Sequence, residues 1–93
     1  MLPEQIVIKR VKPTRANLSL IDHMDAICFP GDTKCHGDNI IWWIAYKQTE
    51  DKLVAIGYAG LKLDDDPPYF IRVGVLPEER GKGVANLLTQ VRI

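Results

Sequence analysis

The chain has 93 residues, 46% of them apolar and 26% charged, which sets an upper limit of one domain with a small core. Twelve basic residues balance twelve acidic ones, so neither nucleic acid nor an anionic membrane is expected as the main partner. The N-terminus lacks a signal-like apolar core, no apolar run is long enough to span a bilayer, and Cys28 and Cys35 form neither a CxxC pair nor a disulfide framework, so a reducing, cytoplasmic setting is expected.

Residues 6–11, IVIKRV, are β-branched and loosely alternating, and predict a first strand. Pro13 ends it, and Thr14 or Asn17 caps a helix. Within that helix Leu20, Met24, Ile27 and Cys28 recur at i, i+4, i+7 and i+8, drawing one apolar stripe. Residues 29–39, FPGDTKCHGDN, have loop composition. Residues 40–48, IIWWIAYKQ, read as a strand with Trp42, Ile44 and Tyr46 on one face.

A polar hairpin turn follows at 49–52. Residues 53–63, LVAIGYAGLKL, form the next strand, in which Gly57 and Gly60 mark a bulge or a close approach. DDDPP at 64–68 is a second turn, and YFIRVGV at 69–75 is the third strand of the run. From Gly81 onward Val84, Leu87, Leu88 and Val91 repeat at helical spacing. The order is β-α-β-β-β-α. Three consecutive strands joined by short turns predict an antiparallel β-meander with packed helices, an α+β fold.

The chemistry concentrates in VLPEERGKGVANLL, residues 75–88. A helix start carries unpaired backbone N–H groups and a partial positive charge, and glycines before it let an anion approach the backbone. Strand, then Arg80-Gly81-Lys82-Gly83-Val84-Ala85, then helix is therefore a candidate phosphate cradle. It is not a P-loop, because Leu76 stands where the first glycine belongs and Gly83 replaces the hydroxyl residue. The dinucleotide fingerprint fails too, since Asn86 fills its third glycine position and no βαβ unit precedes it.

The stretch closely resembles motif A of the GNAT family of N-acetyltransferases, Arg/Gln-x-x-Gly-x-Gly/Ala, with every fixed position filled by Arg80, Gly83 and Ala85. The flanking Val75-Leu76-Pro77 and Leu87-Leu88 also match the family's usual setting. The resemblance implies an acyl-CoA N-acyltransferase-like fold with acetyl-CoA as co-substrate and an amine as acceptor. The N–H groups from Gly81 to Ala85 would hold the pyrophosphate, with Arg80 and Lys82 adding charge. The pantetheine arm would pair with Val73, Gly74 and Val75 like an added strand. An N–H near Val75 would polarise the thioester carbonyl for direct attack by the amine. No metal is implied.

By the same resemblance the fold continues with another strand, a helix and a closing hairpin, whereas the sequence stops at Ile93. The expectation is a truncated, partial N-acetyltransferase domain over 1–93. Its strand 69–75 would be an exposed edge open to a second copy. The tyrosine that protonates the departing thiolate belongs to the absent part in this family, so catalytic residues stay unassigned.

Other residues read more plainly. Asp64, Asp65 and Asp66 suit a solvated turn better than an ammonium site, and Tyr58 and Tyr69 suit packing better than catalysis. Arg72 stands on the strand where family members often place a glutamate. His23, Cys28, Cys35 and His36 match no common zinc spacing. Adjacent strand residues point to opposite faces, so one of Trp42 and Trp43 is expected in the core and the other exposed or at the site. Three functions follow: an N-acetyltransferase, a non-catalytic acyl-CoA-binding module, or a small interaction protein that exposes an edge strand.

Overall fold

The computed structural model describes residues 5–31, 39–63 and 69–90. Four strands, β1 (Gln5–Val11), β2 (Ile40–Thr49), β3 (Lys52–Lys62) and β4 (Tyr69–Val75), form one sheet in the order β1-β2-β3-β4. Every neighbouring pair is antiparallel. Helix α1 (Arg15–Cys28) follows β1, and a 3-10 turn over Pro77–Glu79 leads from β4 to helix α2 (Val84–Thr89). The α+β meander expected from the sequence is thus the observed fold, with the short 3-10 turn as an addition.

Local chemistry accounts for the boundaries. Thr14 is the N-cap of α1 and its hydroxyl accepts the Asn17 N–H at 3.2 Å, while Asn17 Nδ2 donates to Lys12 O at 2.9 Å. Both candidate cap residues therefore serve one helix start. Glu50, with φ of 52°, lies in the two-residue connection between β2 and β3. The expected turn at 64–68 lies outside the described residues.

The sheet is covered on both faces, and this overturns one sequence expectation. On one face α1 sets Ile21 and Met24 against Trp42, Ile44 and Tyr58. On the other, α2 sets Val84 and Leu88 against Trp43, Ala45, Ile56 and Val75. Trp42 and Trp43 do point to opposite faces, yet each is only 4% exposed. Neither tryptophan is left for solvent or a ligand. The stripe on α1 is also rotated from the expected one: Ile21, Met24 and Asp25 are buried, whereas Ile27 is exposed.

Two glycines make room for the aromatic layer beneath α1. A Cβ on Gly60 would stand 2.7 Å from the Trp42 ring, and one on Gly74 would stand 2.5 Å from Tyr58 Cε1. These close approaches leave no space for a side chain. The pairing register also shifts between Ala45 and Tyr46 opposite β3, and between Gly60 and Leu61 opposite β4. Bulge and close packing, the two readings of Gly57 and Gly60, occur together.

Candidate functional site

An antiparallel strand turns the backbone groups of alternate residues toward and away from its neighbour. The Leu76 N–H donates to Ile56 O on the β3 side at 2.9 Å. By that alternation Gly74 also faces β3, while Val73 and Val75 turn their N–H and C=O groups to the outer side of β4. The Val75 carbonyl accepts there from Arg80 Nε at 3.0 Å and from the Cys28 thiol at 3.4 Å. Among the described strands, β4 is at one edge of the order.

After Val75 the chain turns tightly. The Glu79 N–H donates to Leu76 O at 2.9 Å and the Arg80 N–H to Pro77 O at 3.3 Å. Gly81 and Gly83 then take φ of 85° and 79°, in the left-handed region that favours glycine. Those angles cannot belong to a right-handed helix. The helix expected from Gly81 therefore starts at Val84, and its first backbone bond runs from the Leu87 N–H to Gly83 O at 3.1 Å. Helix geometry leaves the N–H groups of Val84, Ala85 and Asn86 without intrahelical acceptors.

Between the outer side of β4 and this turn lies a cavity of about 340 Å³. Eight of the nine residues expected to bind a cofactor line it: Val73, Gly74 and Val75 from β4, Arg80, Gly81 and Gly83 from the turn, and Val84 and Ala85 from α2. Cys28 and Phe29 at the end of α1 supply the opposite wall, with Glu79 and Asn86 completing it. Burial pushes the Cys28 thiol above its usual range, partly offset by a hydrogen bond from Arg80. Its S–H is the group that donates to the Val75 carbonyl.

Lys82, the ninth residue, is not on the cavity wall. Its ammonium pairs with Glu79 Oε1 at 3.1 Å, and Lys47 from β2 pairs with Glu79 Oε2 at 2.9 Å. Glu79 is 5% exposed. The hydrogen bond from Lys47, seconded by Lys82, holds its carboxyl below the usual carboxylate range against the opposing effect of burial.

A second buried carboxylate lies behind the cavity wall on the α1 side. Asp25 accepts the Tyr58 hydroxyl and, from Arg72 on β4, Nη1 at 3.0 and 3.2 Å to its two oxygens. The Arg72 guanidinium also stacks 4.7 Å from the centre of the Phe29 ring, one of the wall residues. Burial, followed by donation to Asp25, pushes Tyr58 far above the usual phenol range. Tyr58 packs in the core, as favoured from sequence, and Arg72 serves to close this cluster.

Sequence reading missed Asp25 and Glu79. The stripe on α1 held a signal for the first, because Asp25 sits four residues after buried Ile21 and three before Cys28. For Glu79 the only local sign is its i, i+3 spacing to Lys82. His23 is exposed on α1. Cys35, His36, Asp64, Asp65, Asp66 and the Tyr69 side chain lie outside the described residues. Among the described residues no three His, Cys, Asp or Glu side chains gather as a metal site, and no helix is long and apolar enough to cross a membrane.

The model of the acetyltransferase (GNAT) family matches residues 14–91, from the cap of α1 to beyond α2. No curated protein matches the chain in sequence.

Proposed function

The chain belongs to the acetyltransferase (GNAT) family, and from that premise we propose that it transfers an acetyl group from acetyl-CoA to an amine. The observation that carries this reading is the cavity of about 340 Å³, where the outer side of β4 meets the glycine turn. Its volume lies in the range of small-molecule sites and suits the acyl-pantetheine end of the co-substrate. The pyrophosphate rests on the N–H groups from Gly81 to Ala85, beside the Arg80 and Lys82 cations. The proposed setting is cytoplasmic, where thiols stay reduced.

The pantetheine arm lies along Val73, Gly74 and Val75 and uses the outward backbone groups of Val73. The Val75 carbonyl is engaged by Arg80 and Cys28, which leaves the Val75 N–H to point at the thioester oxygen. That donor stabilises charge on the oxygen as a neutral amine attacks the carbonyl carbon. The C–N bond forms, the C–S bond breaks, and CoA leaves as a thiolate that takes up a proton. The amine must already have lost its ammonium proton, and the group that removes it is unassigned.

Calorimetric titration with acetyl-CoA, followed by a thiol-release assay over a panel of amines, tests the proposal. Saturable binding with amine-dependent thiol release is the expected result. Binding with no release over the panel assigns a non-catalytic acyl-CoA module instead. No binding to the folded chain overturns both, and leaves an interaction protein with an exposed strand edge. Gly81→Ala and Gly83→Ala supply the control at the turn. An added Cβ meets nothing within 4 Å at either position, so these variants act through backbone φ alone. Each adds about 1–2 kcal/mol of left-handed strain, which the free turn relieves by leaving that φ and acetyl-CoA must restore, so affinity is expected to fall by up to about tenfold.

A further inference from the structure

Glu79 is an unusual group to find on the wall of a cavity proposed to take an anion. A carboxylate there opposes a phosphate unless its charge is neutralised. Here it is neutralised twice. Lys47 and Lys82 engage different oxygens of Glu79 at 2.9 and 3.1 Å, so both pairs exist at once. Glu79 is nearly buried while the Lys82 side chain is 45% exposed, so Lys82 is the member of the pair that is open to solvent.

The origin of the two lysines gives the cluster a direction. Lys82 belongs to the glycine turn itself. Lys47 belongs to β2, two strands away from β4 in the sheet order, and so ties Glu79 to the rigid part of the molecule. Lysine side chains otherwise lose about 2 kcal/mol of rotamer entropy when a ligand fixes them. An ammonium already held beside the turn has lost part of that freedom before a ligand arrives.

We propose that Glu79, anchored by Lys47, is a positioning residue that holds the Lys82 ammonium at the rim of the glycine turn for the phosphates of the co-substrate. The inference rests on the acetyl-CoA reading and adds a task for side chains that the family motif leaves open. Glu79 acts through Lys82, and Lys47 acts through Glu79.

The test is calorimetry on the full chain with three probes: acetyl-CoA, the phosphate-free thioester acetyl-pantetheine, and inorganic pyrophosphate. Lys82→Met and Glu79→Gln are each expected to weaken acetyl-CoA and pyrophosphate about tenfold, the scale of one charge-assisted contact, and to leave acetyl-pantetheine unchanged. In the Lys82→Met background Glu79→Gln is expected to cost nothing further. A merely structural Glu79 would weaken all three probes, and would do so with or without Lys82; either result overturns the inference. So does anion binding that is unchanged or tighter in Glu79→Gln, the outcome if its charge only repels phosphate. Lys82→Met alters an exposed side chain and keeps the test open if Glu79→Gln fails to fold, because full affinity in Lys82→Met also overturns it. Wild-type protein that binds pyrophosphate with this pattern but not acetyl-CoA would remove the CoA reading and keep the positioning role. Binding of neither probe would remove both.

Discussion

Asp25 and Glu79, the two buried carboxylates of the described core, solve the same problem with different partners. Asp25 lies under α1 and is satisfied by a phenol from β3 and a guanidinium from β4. Glu79 lies under the glycine turn and is satisfied by two flexible ammonium groups. A planar guanidinium and an aromatic hydroxyl fix geometry in a closed space, whereas lysines tolerate movement and keep their charge near water. The first arrangement holds the wall of the cavity. The second holds the glycine turn that lines the same cavity.

The contrast breaks most visibly at Asp25. Asp25→Ala leaves the Arg72 guanidinium and the Tyr58 hydroxyl without that partner, and is expected to cost about 3–5 kcal/mol in urea unfolding. For a chain of this size that is much of the total stability. Lys47→Met, which leaves Glu79 still paired with Lys82, is expected to cost only about 1–2 kcal/mol, because one oxygen of the buried carboxylate keeps its partner. Equal losses in the two variants would remove the distinction drawn between the clusters.

Gly74→Ala sharpens the same comparison from the backbone side. The new methyl would stand 2.5 Å from Tyr58 Cε1, so the ring must shift and its bond to Asp25 is lost, at about 3 kcal/mol. Tyr58→Phe removes the hydroxyl without crowding and is expected to cost about 1.5 kcal/mol. The variant should also change the alkaline limb. A phenol raised in the folded state binds its proton more tightly there than in the unfolded chain. Stability therefore falls as pH rises above about 10, the unfolded value. Tyr58→Phe lacks that part of the fall.

The smallest expected effect belongs to Glu79 and has the opposite sense. Its carboxyl is held below the ordinary value of 4.5 in the folded protein, so the unfolded chain binds the proton more readily. The stabilisation is present above about pH 4.5 and fades as pH drops through the lower folded value. Glu79→Gln should shallow the acid limb of a plot of stability against pH and leave the alkaline limb unaltered. A variant whose alkaline limb moved instead would show that the two clusters are coupled.

Much of this was open to reading from the residues. Strands of alternating β-branched and aromatic residues, the Thr14 cap and the paired glycines after a strand are signals of short range, set by steric and hydrogen-bonding preferences within a few residues. The lining of the cavity followed from the same stretch, because β4, the turn and α2 are consecutive. Lys82 escaped that reading, as its partner Glu79 is buried by contact with distant β2. The burial of both tryptophans escaped as well. It needs a helix on each face of the sheet, and no pattern within β2 reports a second covering helix.

The sequence by itself therefore determined the order of elements, the antiparallel meander and the glycine turn before α2, all of which depend on neighbours along the chain. The tertiary structure alone decided which polar groups are buried and what satisfies them. Asp25 meets Arg72 across 47 positions and Lys47 meets Glu79 across 32. A buried charge is tolerated only where a partner arrives, and partners are brought together by strand register and layer packing. VLPEERGKGVANLL shows both halves: its glycines fix the path of the backbone locally, and a lysine from two strands away fixes what the turn's own lysine holds.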